Sequence, residues 1–189
     1  CIYRPFVAEY VYTDPRLNDL WSARKNHFPK PNHTNLVISA MGVGASKDFA
    51  TLLVDCLPDL EAISKGYCFP LYLYQKVEQL KDGELPGTET TTDKEGEIID
   101  GYRRKSGISD AILATFRKSY GDAVTKEDIF YYVYGILHSP EYRERFAADL
   151  KKMLPRIPLT HKTADYQAFA QAGRDLAELH LNYEDLSPH

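Results

Sequence analysis

The sequence predicts an α+β fold: a β-rich N-terminal lobe with long loops, followed by a small C-terminal helical bundle. Three observations carry this. Aromatic and β-branched residues crowd into short runs before residue 75. A Gly-, Thr- and acid-rich stretch comes next. From Ser106 onward the apolar residues recur at helical spacing.

In chain order, residues 6–13 (Phe-Val-Ala-Glu-Tyr-Val-Tyr-Thr) read as a first strand. Asp14-Pro15 closes it, because proline fixes φ and lacks an N–H. Residues 24–35 are a basic loop, in which Pro29 and Pro31 exclude a regular helix. Residues 35–41 and 49–55 read as second and third strands, joined by a turn beginning Gly42-Val43-Gly44-Ala45-Ser46-Lys47. Residues 69–74 read as a fourth strand, with Pro70 near its start or on a sheet edge. Residues 76–105 are expected to be an exposed, mobile linker that ends in a basic cluster.

Ile108, Ile112, Leu113, Phe116 and Tyr120 mark one face of a first helix, with Gly121 as its C-cap. Thr125 and Asp128 suit a capping arrangement for a second helix, striped by Ile129, Val133, Ile136 and Leu137. Ser139-Pro140 supply the N-cap and first position of a third. That helix is lined by Tyr142, Phe146, Leu150 and Leu154, and Pro155 stops it. The last helix is expected over 164–183, with Tyr166, Phe169, Ala170, Gly173, Leu176, Ala177 and His180 on its packing side. The expected organisation is therefore a β lobe over 1–75, a linker over 76–105 and a bundle over 106–189.

Bulk properties narrow the function classes. A chain of 189 residues with 43% hydrophobic content suits one domain or two small packed lobes. Its apolar runs fall far short of the roughly 20 residues a membrane helix needs. No signal segment opens it, and three cysteines without a CxxC pair make no disulfide framework, so a cytoplasmic setting is expected. The first residue is Cys1 rather than Met, as expected of a piece cut from a longer protein. The net charge of −4 argues against nucleic acid only superficially. Residues 76–100 carry eight acids against three lysines, whereas residues 1–33 carry five basic residues against three acids. Phosphate binding depends on such local patches.

Catalytic signatures are missing. No phosphate-binding P-loop occurs, and the glycines at 42 and 44 lack the second half of any nucleotide fingerprint. Neither a Gly-rich methyl-donor loop nor an Asn/Asp-Pro-Pro-aromatic element is present. Pro58-Asp59, Glu61 and Lys65 imitate a metal nuclease, but no Glu-x-Lys follows. The sole Asp-x-Lys, Asp149-Leu150-Lys151, falls on a helix. Cys56, Cys68, His27 and His33 fit no zinc spacing. The chain is thus expected to be a non-enzyme, with no cofactor and no metal of its own.

What remains is recognition chemistry. Arg24, Lys25, Asn26, His27 and Lys30, interleaved with Trp21 and Phe28, suit phosphates and base edges. Arginine pairs with guanine and asparagine with adenine in the major groove. Gly44, Ser46, Lys47 and Asp48 sit on a turn able to enter a groove, and Arg103-Arg104-Lys105 is a compact triple charge. Each cluster alone is most commonly a solvated surface. Together they make double-stranded DNA the partner to test.

Several stretches carry a resemblance. They are Tyr3-Arg4-Pro5-Phe6 with Tyr12 and Asp14, then residues 39–47 and 53–60, and Cys68-Phe69-Pro70-Leu71-Tyr72-Leu73-Tyr74. The longest runs from Thr125 through Ser139-Pro140 to Phe146, and on through Leu154 to Pro158. In these the chain resembles the C-terminal specificity region of Type ISP single-chain restriction-modification enzymes, and more distantly the Type IIG recognition domains. The resemblance implies a parent with a nuclease, an ATP- and Mg2+-dependent motor and an adenine-N6 methyltransferase using S-adenosylmethionine, all upstream. It implies that this chain holds a short asymmetric duplex site and contributes no catalytic residue. By position, the loop 42–49 is expected to read bases. Arg16, Arg24, Lys25, Lys30 and Arg103, Arg104 and Lys105 are expected to touch phosphates. The competing expectation is a protein-interaction domain that docks on those upstream parts without touching DNA. A free-standing hydrolase would need a converging triad or carboxylate pair.

Overall fold

The computed structural model describes residues 1–10, 26–45, 47–59, 61–77 and 96–185. Strands fill the N-terminal half and helices the C-terminal half, so the fold is α+β as expected. Among the described residues, eight short strands make three antiparallel sheets. β1 (Ile2–Arg4) pairs with β2 (Val7–Ala8). The central sheet has the order β4-β3-β5, from β3 (Val37–Ala40), β4 (Thr51–Val54) and β5 (Tyr67–Pro70). The third has the order β6-β8-β7, from β6 (Tyr72–Lys76), β7 (Glu97–Ile99) and β8 (Tyr102–Ser106). Among the described residues, the α-helices that follow are α1 (Asp110–Tyr120), α2 (Lys126–His138), α3 (Pro140–Arg145), α4 (Ala147–Leu150) and α5 (Thr163–Leu181).

β3 and β4 are buried at every position because both faces of their sheet are covered. Ile38 and Leu53 face each other across the ladder and pack into the helical core with Phe130, Tyr134 and Leu137. On the opposite face, Val37, Leu52 and Val54 pack with Ile2, Ala62 and Ile63. Such a strand shows a run of apolar residues, not alternation. The expected helical bundle is therefore continuous with the β half, through one shared core.

Four element boundaries differ from the sequence reading. The expected first strand, 6–13, is instead a hairpin whose turn is Pro5-Phe6; residues 11–13 lie outside the described residues. Phe6 has φ 59°, a position turns usually give to Gly or Asn. Its ring contacts with His180 and Tyr183 hold it there. The expected fourth strand breaks at Leu71, where the chain leaves the central sheet for the third. Pro70 ends the edge strand β5, where a missing N–H does least harm. The Asn35 side chain bridges the break: Oδ1 accepts from Leu36 and Tyr72 N–H (2.9 and 3.0 Å), and Nδ2 donates to the His27 and Tyr72 carbonyls (2.9 and 2.7 Å). Residues 97–105, expected as the end of a linker, instead belong to strands β7 and β8 and their turn, because β6 offers β8 a full ladder. Residues 78–95 lie outside the described residues. Finally, the third helix is interrupted at Phe146, whose φ and ψ (−108°, 17°) leave the helical region as its ring tilts against Tyr142.

The expected caps are in place: the Ser139 side chain accepts from Tyr142 N–H, Thr125 and Asp128 form a reciprocal capping box, and Gly121 closes α1. Ser109, which the sequence reading did not single out, caps the start of α1 by accepting from Ile112 N–H.

α2 also carries the joint between the halves. Tyr134 is fully buried; its hydroxyl accepts from the Leu53 N–H (3.0 Å) and bonds His180 Nδ1. His138 lies beside both rings, and Arg143 donates to its Nδ1 (3.2 Å). Burial, then the Arg143 charge and His180, hold the His138 imidazole down to about 4. Burial also lowers His180. Below pH 6.5 the unfolded chain binds protons that the folded state refuses, so this contribution to stability is full above pH 6.5 and shrinks as pH falls toward 4. Discounted for its partial exposure, His138 is expected to cost the fold about 1–2 kcal/mol between pH 7.5 and 5. Urea midpoints read this directly, and His138→Gln, which accepts from Arg143 but does not titrate, flattens the slope. A flat wild-type profile would refute the coupling.

Candidate nucleic-acid interface

The loop 42–49 between β3 and β4 is closed at its base by Met41 N–H donating to the Ala50 carbonyl (2.9 Å). Gly42 rests on the turn 61–65: its N–H donates to the Ser64 carbonyl (3.2 Å), and a Cβ there would meet the Lys65 carbonyl oxygen at 2.1 Å. Ser64 and Lys65 both take positive φ (67° and 51°), a strained pair of the kind that persists only where surrounding packing dictates it. At the tip, Gly44 (φ 75°) accepts from Lys65 Nζ (3.5 Å). Lys47 and Asp48 are exposed, while Ser46 lies outside the described residues.

Beside this loop opens a cleft of about 470 Å3, lined by Arg4, Pro5, Lys47, Asp48, Glu61 and Ser64 among others. The Arg4 guanidinium stacks 4.3 Å over the Tyr3 ring and donates to the Glu61 carbonyl (3.4 Å). Lys151, at the end of α4, pairs with Asp48 (3.7 Å). Arg4, Lys47, Lys65 and Lys151 thus surround one loop. Sequence reading picked only Lys47 of these as a binding residue. It treated Lys65 and Lys151 as a nuclease imitation, and no local pattern announces that residues 4, 47, 65 and 151 meet.

The other expected contacts divide. Arg16, Arg24 and Lys25 lie outside the described residues. Asn26 is exposed. His27 is 8% exposed and packed inside, which withdraws its ring from any groove; its carbonyl is the group Asn35 holds. Lys30 is exposed, but its Nζ donates to the Asp100 carbonyl (3.1 Å) and lies 5.8 Å from the Tyr102 ring. Asn32 bonds the Asp100 carboxylate, and His33 Nε2 meets the Ile99 carbonyl (3.1 Å). Residues 30–33 of the basic loop are therefore bound to the end of β7 and the β7–β8 turn.

Arg103, Arg104 and Lys105 do not form one cluster, since successive strand residues point to opposite faces. The ladder puts Arg104 with Tyr74 and Glu97, where it stacks on Tyr72 (4.6 Å) and pairs with Glu97 (2.8 Å). This makes Arg104 a fold residue. Arg103 and Lys105 share the other face with Gln75, Leu73 and Ile98. The two basic regions, around the loop 42–49 and around Lys30 and β8, are reached from opposite ends of β3. At a strand rise near 3.3 Å per residue, the four residues of β3 put roughly 13 Å of strand between them.

Among the described residues, no group of three or more His, Cys, Asp or Glu converges as a metal site. Among them, too, no helix is long and apolar enough to cross a membrane.

The model of the Type ISP C-terminal specificity domain matches residues 1–189. This chain belongs to that family. No curated protein matches it. Three solved structures are similar over 99–100% of the chain. The DrdV-DNA complex is 32% identical with a TM-score of 0.81. A nuclease-deletion mutant of the Type ISP enzyme LlaGI, in complex with a DNA substrate mimic, is 34% identical with a TM-score of 0.71. The ATP-dependent Type ISP enzyme LlaBIII bound to DNA is 30% identical with a TM-score of 0.75. The specificity-domain chain spans only 16%, 14% and 11% of their respective lengths.

Proposed function

We propose that this specificity domain recognises a short site in double-stranded DNA, with the loop 42–49 as its reading element. The observation that carries this is the fixed, doubly glycine-dependent loop presenting Lys47 beside the Arg4 cleft. The family supports it, and so do the three similar structures, each a DNA complex. Lys47 donates to a purine edge or phosphate, and Arg4 offers a planar guanidinium fork. Arg103, Lys105 and Lys30 supply the second, phosphate-facing region. The chain itself performs no chemistry in this reading. An adenine-N6 methyltransferase using S-adenosylmethionine, and a motor and nuclease using ATP and Mg2+, belong to the rest of a longer polypeptide. Recognition by this domain would hold the duplex while an adenine is flipped into the methyltransferase pocket.

The test is selection from a randomised duplex pool at low and moderate salt. One short asymmetric site is expected to be enriched. Lys47→Ala is expected to weaken it by about 1–3 kcal/mol and relax preference at one or two base positions. Lys30→Ala is expected to act evenly on all sequences and to reduce the salt slope by about 1. If no duplex is enriched at low salt, the competing reading gains: a docking domain using the exposed Met153, Leu154 and Leu159 against other parts of the polypeptide.

A further inference from the structure

The loop 42–49 is attached to the helical half at three points in addition to its ties within the β half. The Gly44 N–H donates to the Lys151 carbonyl (3.2 Å). Lys151 Nζ pairs with Asp48 (3.7 Å). Phe49 packs into the helical core, with the Arg143 guanidinium 5.8 Å from its ring centre. The residues concerned come from α3 and from the end of α4. Lys151 is the C-cap of that short helix, so its carbonyl has no helical partner to serve. Gly44 supplies the missing donor, which its positive φ allows. The interruption at Phe146 that shortens α3 therefore places this carbonyl end against the loop.

We infer that the end of α4 sets the conformation of the reading loop, and that Lys151 is a positioning residue for base selection. This rests on the DNA-recognition reading above. The exposed ion pair alone is worth little. Its effect is to fix which way Asp48 and Lys47 project, while the Gly44 bond fixes the loop's height. Specificity needs that placement more than affinity does, because phosphate contacts supply most of the binding strength. Asp48, held by Lys151, is accordingly a partner of the clamp rather than a reader of bases.

Four proteins decide the matter in the same selection: wild type, Lys151→Glu, Asp48→Lys and the exchanged pair carrying both. Both single variants are expected to lose preference at one or two base positions, with a loss of roughly 10-fold on the best site. The exchanged pair, which restores opposite charges, is expected to recover the wild-type preference. An even loss across all sequences, with a shallower salt slope, would instead make Lys151 a phosphate contact and overturn the inference. Failure of the exchanged pair to recover would overturn it too, with Asp48 then a direct reader. Amide exchange without DNA gives the independent arm: Gly44 is expected to be protected, and less so in Lys151→Glu. A wild-type Gly44 exchanging at the free-peptide rate overturns the clamp whatever the DNA result. Protection of Gly44 with no duplex selected overturns the recognition reading, and with it the specificity role, while leaving the attachment.

Discussion

Gly173→Ala is expected to destabilise the protein by about 3 kcal/mol or more, although alanine is the better helix former. Among the described elements α2 and α5 make the most extensive contact, and their backbones meet at Gly135 and Gly173. A Cβ on Gly173 would lie 1.9 Å from the Tyr131 carbonyl oxygen and 3.0 Å from the Gly135 nitrogen. A Cβ on Gly135 would lie 2.2 Å from the Phe169 carbonyl oxygen. The obstacles are backbone, so relief requires the helices to part. Parting them opens the packing of Tyr132, Tyr166 and Phe116, whose rings lie 5.1–6.0 Å apart. The control is Ala172→Gly, one position along on the exposed side of α5, where only the intrinsic preference of about 1 kcal/mol is at stake. Urea unfolding of both proteins settles the sign. A neutral or stabilising Gly173→Ala would mean that the helices do not cross this closely.

Asn35→Ala is expected to cost about 2–4 kcal/mol, far more than the loss of its volume. Its amide serves four backbone groups, and the residue is 5% exposed, so water cannot readily take over. The loss reaches beyond stability. With the Tyr72 N–H and carbonyl released, β6 is no longer tied to the start of β3, and the basic loop loses its hold at His27. Asn35→Asp tests the bonding separately from the shape. It keeps the outline but turns two donors into an anion facing the His27 and Tyr72 carbonyls, and is expected to do at least as much harm. Faster amide exchange at Leu36 and Tyr72 would locate the damage. An unchanged midpoint in both variants would remove Asn35 from this role.

The helices were legible because their signals are local. A serine or threonine cap, an acid three residues on and apolar residues at 3.6 spacing all lie within one turn of each other. Thr125 with Asp128 and Ser139 with Pro140 therefore kept their expected roles. The strands were legible as apolar runs but not in their limits. Where a strand ends depends on what pairs with it, and Leu71 becomes a break only because Asn35, 36 residues earlier, serves the groups on its far side. The β7–β8 hairpin was hidden for the same reason. Its residues are polar and charged, and only the β6 ladder makes them a sheet.

For the site, the sequence singled out the turn carrying Lys47 as the expected reading loop, and its motifs resembled the family that the chain belongs to. It misgrouped the other charges. Arg103, Arg104 and Lys105 are adjacent in the chain, yet strand geometry sends Arg104 to Glu97 and Tyr72 and its two neighbours to the opposite face. His27 stands among basic residues in the sequence and is buried in the fold. By itself, then, the sequence determined the α+β order, the helix caps, the absence of known catalytic signatures and the family. Each of these is written in residues close together or in a pattern read along the chain. Only the tertiary structure decided that Arg4, Lys47, Lys65 and Lys151 surround one loop, and that α4 holds it. Side chains far apart in the chain meet through backbone pairing and core packing, and no local spacing encodes that meeting.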